Sequence, residues 1–192
     1  MNKKREEKTL SNLFKKAIKM LEKAKLDYLV IGGVAVSNIG EPRLTEDLDL
    51  ILFIKKGEGG EFLKIAKGQG FEVNEKEEID NLKSTGCFRI FWTPLRLDII
   101  CASTDFEQEA LRRKQKLNLY GLKANFPTPE DLIILKIIPG RAKDMLDAES
   151  IALRHRKKLD ILYLENRVKK ICEESENLVF WKNLQKVLKA SA

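Results

Sequence analysis

Residues 43–50 read Arg43-Leu44-Thr45-Glu46-Asp47-Leu48-Asp49-Leu50, and an apolar run continues through Ile51, Leu52, Phe53 and Ile54. Alternation leading into a continuous apolar stretch predicts a buried strand over residues 47–54. Successive side chains leave a strand on opposite faces, so Asp47 and Asp49 point to the same side. Two such carboxylates repel each other, and burying the pair uncompensated is costly. A divalent cation removes that cost by sharing both. Hard oxygen donors at this spacing suit magnesium, which also grips phosphates. The bland alternative leaves both acids on an edge strand, paired with Arg43 and Arg96.

Two further features extend this reading. Asp98 lies inside the apolar run Leu95-Arg96-Leu97-Asp98-Ile99-Ile100-Cys101, where an acid is unexpected. That run and residues 87–92 (CFRIFW) flank Thr93-Pro94 and predict an antiparallel hairpin. With this hairpin beside the 47–54 strand, Asp98 joins the first two acids. Three acids can hold two metal ions about 3.5–4 Å apart, one orienting a nucleotide and the other activating an acceptor hydroxyl. Asp98 would then be the base or a ligand of the second metal. Upstream, Gly32-Gly33 ends the strand-like stretch DYLVI (residues 27–31) and opens a helix. Without side chains there, backbone N–H groups can approach a phosphate.

Elsewhere, Leu10, Leu13, Phe14, Ala17, Ile18 and Leu21 recur at helical spacing. Gly57, Gly59 and Gly60 are expected to break the chain, with a short helix over 61–67. Residues 104–114 read as a helix and 116–126 (KLNLYGLKANF) as one strand. At Thr128-Pro129 the character changes. Thr128 can cap a helix, Pro129 suits its first turn, and Asp131 sits at the capping-box position. Pro139-Gly140 interrupts this helix, and residues 159–171 and 178–188 look helical. The expected organisation is a mixed α/β core over 1–127 and a helical region over 128–192 packed on it.

Composition sets the frame. The chain has 192 residues, 43% hydrophobic and 34% charged, which is a globular balance. A net charge of +7 favours anionic partners such as nucleotides or RNA, although lysines on helical stretches also simply solvate an outer face. Cys87, Cys101 and Cys172 have no CxxC spacing and fit buried thiols better than disulfides or zinc ligands. The charged N-terminus has no signal-peptide core, and no apolar run reaches membrane-span length, so a cytoplasmic protein without a membrane partner is expected. His155 is the only histidine and lies in a basic stretch, which leaves no Ser-His-Asp or Cys-His chemistry without it. Trp92 and Trp181 read as core or interface residues. Gly57-Glu58-Gly59-Gly60 lacks the P-loop lysine spacing.

Gly32-Gly33, Asp47, Asp49 and Asp98 resemble, in order and spacing, the DNA polymerase β-like nucleotidyltransferase superfamily. The branch containing AbiEii-type toxins and related prokaryotic nucleotidyltransferases is similar in more detail. Its GG-x-A start matches Gly32 to Ala35, and its R-x-S/T-x-D-h-D-h stretch matches Arg43 to Leu50. Its P-x-D-L-h-h-h-K segment matches Pro129 to Lys136, and its R-x-K-D-x-x-D segment matches Arg141 to Asp147. The resemblance implies a nucleotidyltransferase fold, a mixed β-sheet flanked by helices. It also implies transfer of a nucleoside monophosphate from an NTP to an RNA (such as a tRNA end) or protein hydroxyl. The implied cofactor is Mg2+, one or two ions, with Mn2+ as a substitute, on Asp47, Asp49 and Asp98. Gly32, Gly33, Arg43, Thr45, Lys136 and Arg141 are the implied nucleotide-binding residues. Lys136 and Arg141 could equally pair internally with Asp144 or Asp147. Further implied partners are a second copy of the chain or a cognate toxin or antitoxin; a non-catalytic binding module is the alternative function. One departure stands out: many active members carry Gly-Ser where this chain has Gly32-Gly33, so the backbone alone, or a hydroxyl such as Ser37 or Thr45, would have to meet the phosphate.

Overall fold

The computed structural model describes residues 7–54 and 57–191. Residues 1–6, part of the charged N-terminus read against a leader, lie outside the described residues. Helix α1 (Leu10–Lys23) leads into β1 (Asp27–Ile31), α2 (Gly32–Ile39) and β2 (Asp47–Phe53). Helices α3 (Gly59–Gly68) and α4 (Glu75–Thr85) precede the hairpin of β3 (Cys87–Trp92) and β4 (Leu95–Cys101). Then come α5 (Asp105–Arg112), β5 (Gln115–Leu119), β6 (Leu122–Phe126) and the helices α6 (Pro129–Ile137), α7 (Ala142–His155), α8 (Ile161–Ser175) and α9 (Val179–Ala190).

The main sheet runs in the order β1-β2-β4-β3. β2 pairs antiparallel with β1 but parallel with β4, and β4 pairs antiparallel with β3, so the sheet is mixed as expected. Period-two alternation divides its faces. Leu48, Leu50 and Leu52 of β2, Leu97 and Ile99 of β4, and Phe88 and Ile90 of β3 are buried. Register places these residues side by side: Leu50 is opposite Ile99, which is opposite Phe88. Each such side chain contributes about 1.5–3 kcal/mol on burial. The same apolar core takes in Phe14 of α1, Phe126 of β6, Ile134 of α6, Ile151 of α7 and Leu184 of α9.

Local chemistry explains most element ends. Thr9 caps α1, and Thr104 and Glu107 form a reciprocal capping box at α5. Thr128 accepts the N–H of Asp131 at the start of α6, with Pro129 in its first turn.

Two expectations need correction, and one element was not expected. Residues 116–126 are not one strand but a hairpin, because Tyr120 and Gly121 both take positive φ (51° and 76°) and reverse the chain. Gly59 and Gly60 lie inside α3 rather than breaking the chain. Helix α4 has no counterpart in the sequence reading. Only Ile79 and Leu82 among its residues are apolar, too few to show a period, and it is fixed by packing on α3 and β3. His155, in its basic stretch, sets its Nε2 2.8 Å from the carbonyl oxygen of Ile39. All three cysteines are free thiols. Among the described residues no helix is long and apolar enough to cross a membrane.

Leu50 is fully buried at the centre of β2. Leu50→Ala should lower the unfolding free energy by about 2–5 kcal/mol, read from the denaturation midpoint at unchanged slope.

Candidate active site

The three acids converge because of strand register. In the parallel β2–β4 pair Asp49 lies opposite Asp98, and Asp47 lies opposite Arg96. In the β3–β4 hairpin Arg89 lies opposite Asp98. Directly opposed residues share a face, so all five charged side chains stand on the face opposite Leu48 and Leu50.

The arginines engage the acids directly. Arg96 Nη2 donates to Asp47 Oδ2 at 2.5 Å, and Arg89 Nε donates to Asp98 Oδ1 at 2.5 Å. Arg96 Nε stands 3.2 Å from Asp98 Oδ2, an ion pair by distance, yet it makes no hydrogen bond there. Asp49 has the least comfortable position. Burial raises its pKa above the ordinary value, and the charges of Asp98 and Asp47 raise it further, against weaker opposition from Lys136 and Arg96. Three hard carboxylates whose charges penalise one another are the donor set that a divalent cation relieves, so the residues fit one. Among the described residues, however, no three acidic, cysteine or histidine side chains are gathered closely enough to enclose an ion. Asp47 and Asp98 are both turned to Arg96 instead.

Gly32 and Gly33 lie where β1 passes into α2. Gly32 has φ +63°, and a Cβ there would fall 1.8 Å from Asp49 Oδ2, so only glycine leaves room for that carboxylate. At Gly33 a Cβ would meet Thr45 Oγ1 at 2.7 Å and Arg43 Nη1 at 3.0 Å. The Thr45 hydroxyl therefore fills the space that a side chain at position 33 would take. Ser37 instead bonds the backbone of Arg43. The first turn of α2 has no side-chain cap.

The remaining expected residues come from the loop before β2 and from α6–α7. Arg43 forms a two-pronged pair with Asp147, Nε to Oδ1 at 2.7 Å and Nη2 to Oδ2 at 2.9 Å. Lys136 is buried between Asp144 (3.1 Å) and Asp147 (2.8 Å). Burial acts to raise the Asp144 pKa, but hydrogen bonds from Arg141 and Lys136 outweigh it and hold the group below its ordinary value. Arg141 donates to Asp144 while its side chain stays 76% exposed, and it feels the charge of Asp49. Lys136 and Arg43 are thus committed to internal pairs, whereas Arg141 faces solvent.

A cavity of about 800 Å³ opens beside the acids. Asp49, Asp98 and Arg89 form one wall, Phe88 and Phe91 lie along it, and Glu72, Glu77 and Glu78 come from α4 and the segment before it. The sequence reading missed Arg89 and the three glutamates. Hairpin register could have found Arg89, because a turn at Thr93-Pro94 sets residue 89 opposite 98. The glutamates carried no signal, since α4, which bears Glu77 and Glu78, and the Glu72 bridge to Phe91 were not visible.

Two solved structures share the fold, which is that of the nucleotidyltransferases. The solution structure of the antibiotic-resistance factor ANT(2'')-Ia is 18% identical, with a TM-score of 0.62 over 86% of this chain and 94% of that one. The crystal structure of ANT(2'')-Ia in complex with adenylyl-2''-tobramycin is 17% identical, with a TM-score of 0.59 over 93% of this chain and 99% of that one. Among curated proteins none matches. The chain belongs to the family described as "Nucleotidyltransferase of unknown function (DUF6036)", whose model matches residues 8–189.

Two outcomes are expected of this geometry. Gly32→Ala places a methyl group on Asp49 and a β-carbon at positive φ. It should cost about 1–2 kcal/mol of stability from the backbone alone, measured by denaturation. Asp49 has a folded-state pKa above its unfolded one. Its contribution to stability is therefore fully present below the unfolded pKa and is lost as pH rises through the folded pKa. In chelator, Asp49→Asn should melt at a higher temperature than wild type at neutral pH. That advantage should vanish as the pH falls through the ordinary carboxylate range.

Proposed function

We propose that the chain catalyses metal-dependent transfer of a nucleoside monophosphate from an NTP to an acceptor hydroxyl. The single observation that carries this is the shared sheet face of Asp47, Asp49 and Asp98, with Gly32 pressed against Asp49. Asp47, Asp49 and Asp98 would hold Mg2+, for which Mn2+ can stand in; when bound it supplies Lewis-acid charge to the phosphates and acidity to the acceptor hydroxyl. Asp98, which lines the cavity, accepts the proton from that hydroxyl as its oxygen bonds to the α-phosphorus and pyrophosphate leaves. The uncapped first turn of α2 at Gly32-Gly33 offers backbone N–H donors to the phosphates. Thr45 supplies the hydroxyl beside Gly33, and exposed Arg141 meets the triphosphate charge. Arg43 acts through Asp147, tying the loop before β2 to α7, while Lys136 ties α6 to α7 through Asp144 and Asp147.

The cavity bears on the acceptor. The sequence reading offered an RNA or a protein hydroxyl. Among the described residues five acids, Asp49, Glu72, Glu77, Glu78 and Asp98, line the cavity against one base, Arg89. Such a lining repels polyanions and attracts cations, which favours a small, hydroxyl-bearing cationic acceptor over RNA. In the ANT(2'')-Ia complex the same fold accompanies an adenylylated tobramycin. The AbiEii-like reading, with a toxin or antitoxin as partner, rests on the Pro129 to Lys136 and Arg141 to Asp147 motifs.

The test is incubation of the purified chain with each radiolabelled NTP, Mg2+ and, in separate arms, hydroxylated polyamines or aminoglycosides, total RNA and total protein. Label should pass to the cationic small molecules. It should fall by about a hundredfold or more in Asp47→Ala and Asp49→Ala, in line with the loss of other transition-state electrostatic groups. Transfer that survives both substitutions sinks the mechanism; transfer to RNA alone sinks the acceptor assignment.

A further inference from the structure

Arg89 and Arg96 hold neither metal nor nucleotide in the proposed reaction, yet they are the groups closest to the acids. Arg96 reaches Asp47 at 2.5 Å and Asp98 at 3.2 Å, bridging β2 to its own strand. Arg89 approaches the other oxygen of Asp98 at 2.5 Å from β3. A guanidinium and a divalent cation compete for the same carboxylate lone pairs. While Arg96 holds Asp47 and Asp98, the three acids do not form an enclosing set, which agrees with their geometry.

We propose that Arg96, assisted by Arg89, is a positioning residue that sets metal affinity: its guanidinium holds Asp47 and Asp98 and must release them before a divalent cation is held. This rests on the proposed metal site of Asp47, Asp49 and Asp98. Three observations make release feasible. Arg96 and Arg89 side chains are 42% and 49% exposed, so water can take them up. The Arg96 Nε contact with Asp98 has no hydrogen bond to lose. Both anchors are themselves partly exposed, at 33% for Asp47 and 25% for Asp98, where ion pairs are weak.

Release also supplies a reason for order. A freed guanidinium is a planar fork that matches phosphate oxygens. A nucleotide arriving at the α2 N-terminus gives Arg96 a new anionic partner, so releasing the acids costs less when nucleotide is present. Metal and nucleotide then bind with positive coupling, and by linkage each strengthens the other equally. Without nucleotide, the apparent metal affinity is reduced by the fraction of molecules in which Arg96 has let go.

The experiment is calorimetric titration of the full chain with Mn2+, alone and with a non-hydrolysable ATP analogue, on wild type, Arg96→Gln, Arg96→Lys and Arg89→Gln. Arg96→Gln should bind Mn2+ alone about tenfold or more tightly than wild type. The analogue should tighten Mn2+ binding in wild type and do so far less in Arg96→Gln. Arg96→Lys, which keeps the charge, should stay near wild type. Unchanged or weaker Mn2+ binding by Arg96→Gln overturns the proposal, because a merely structural arginine would leave affinity alone or reduce it. If Arg96→Gln does not fold, Arg89→Gln carries the same comparison with a smaller gain, and no gain there overturns it. Absence of Mn2+ binding by every form, with or without the analogue, overturns the metal reading itself. Binding by wild type with no change among the variants overturns only the role of Arg96.

Discussion

Asp47, Asp49 and Asp98 are placed on one face of the sheet by a parallel strand register, and their mutual repulsion must be compensated for that face to exist. At Asp49 it is expressed as a pKa raised by burial and by its two neighbours. The surroundings can be understood as responses. Gly32 gives the Asp49 carboxylate space that any side chain would take. Arg96 and Arg89 bring positive charge from β4 and β3. Lys136 and Arg141 bring more from α6 and the turn after it, felt at Asp49 and shared with Asp144 and Asp147. A site that keeps like charges together at the expense of stability is the pattern expected where function sets the residues.

The α6–α7 region is fastened to this face by ions rather than by apolar contact alone. Arg43 and Lys136 converge on Asp147, whose side chain is nearly inaccessible, and Lys136 and Arg141 converge on Asp144. Buried pairs of this kind add little net stability, but losing one partner strands the other. The Arg43–Asp147 pair fixes where the loop before β2 stands relative to α7, and the Lys136 and Arg141 pairs hold the acids of α7 in place. That loop carries Thr45, whose hydroxyl occupies the place beside Gly33. The missing serine at position 33 is thus a matter of packing as well as chemistry: the space is already filled from the neighbouring loop.

Charge also separates the molecule from its own average. The chain as a whole carries +7, yet among the described residues the cavity beside Asp98 is lined by five acids and a single basic side chain, Arg89. Net charge reports on diffuse attraction, while a concave wall acts on what enters it. The two need not agree.

Sequence alone determined what depends on neighbours along the chain. Alternation placed Asp47 and Asp49 on one side of β2; capping residues located α6; Thr93-Pro94 predicted the β3–β4 hairpin; and the spacing of Gly32-Gly33 from the acids pointed to the candidate site. The strand read over residues 116–126 became a hairpin because a local turn at Tyr120-Gly121 outweighed apolar continuity. Helix α4 was invisible because its polar residues give no period, and packing rather than pattern holds it. Tertiary structure alone decided that β2 and β4 run parallel and in the register that sets Asp49 against Asp98. It also decided that Arg96 bridges Asp47 and Asp98 and that glutamates from a helix without a sequence signature line the cavity. Local chemistry is written into adjacent residues. The charge that surrounds a site is summed over strands and helices that meet only in the folded chain.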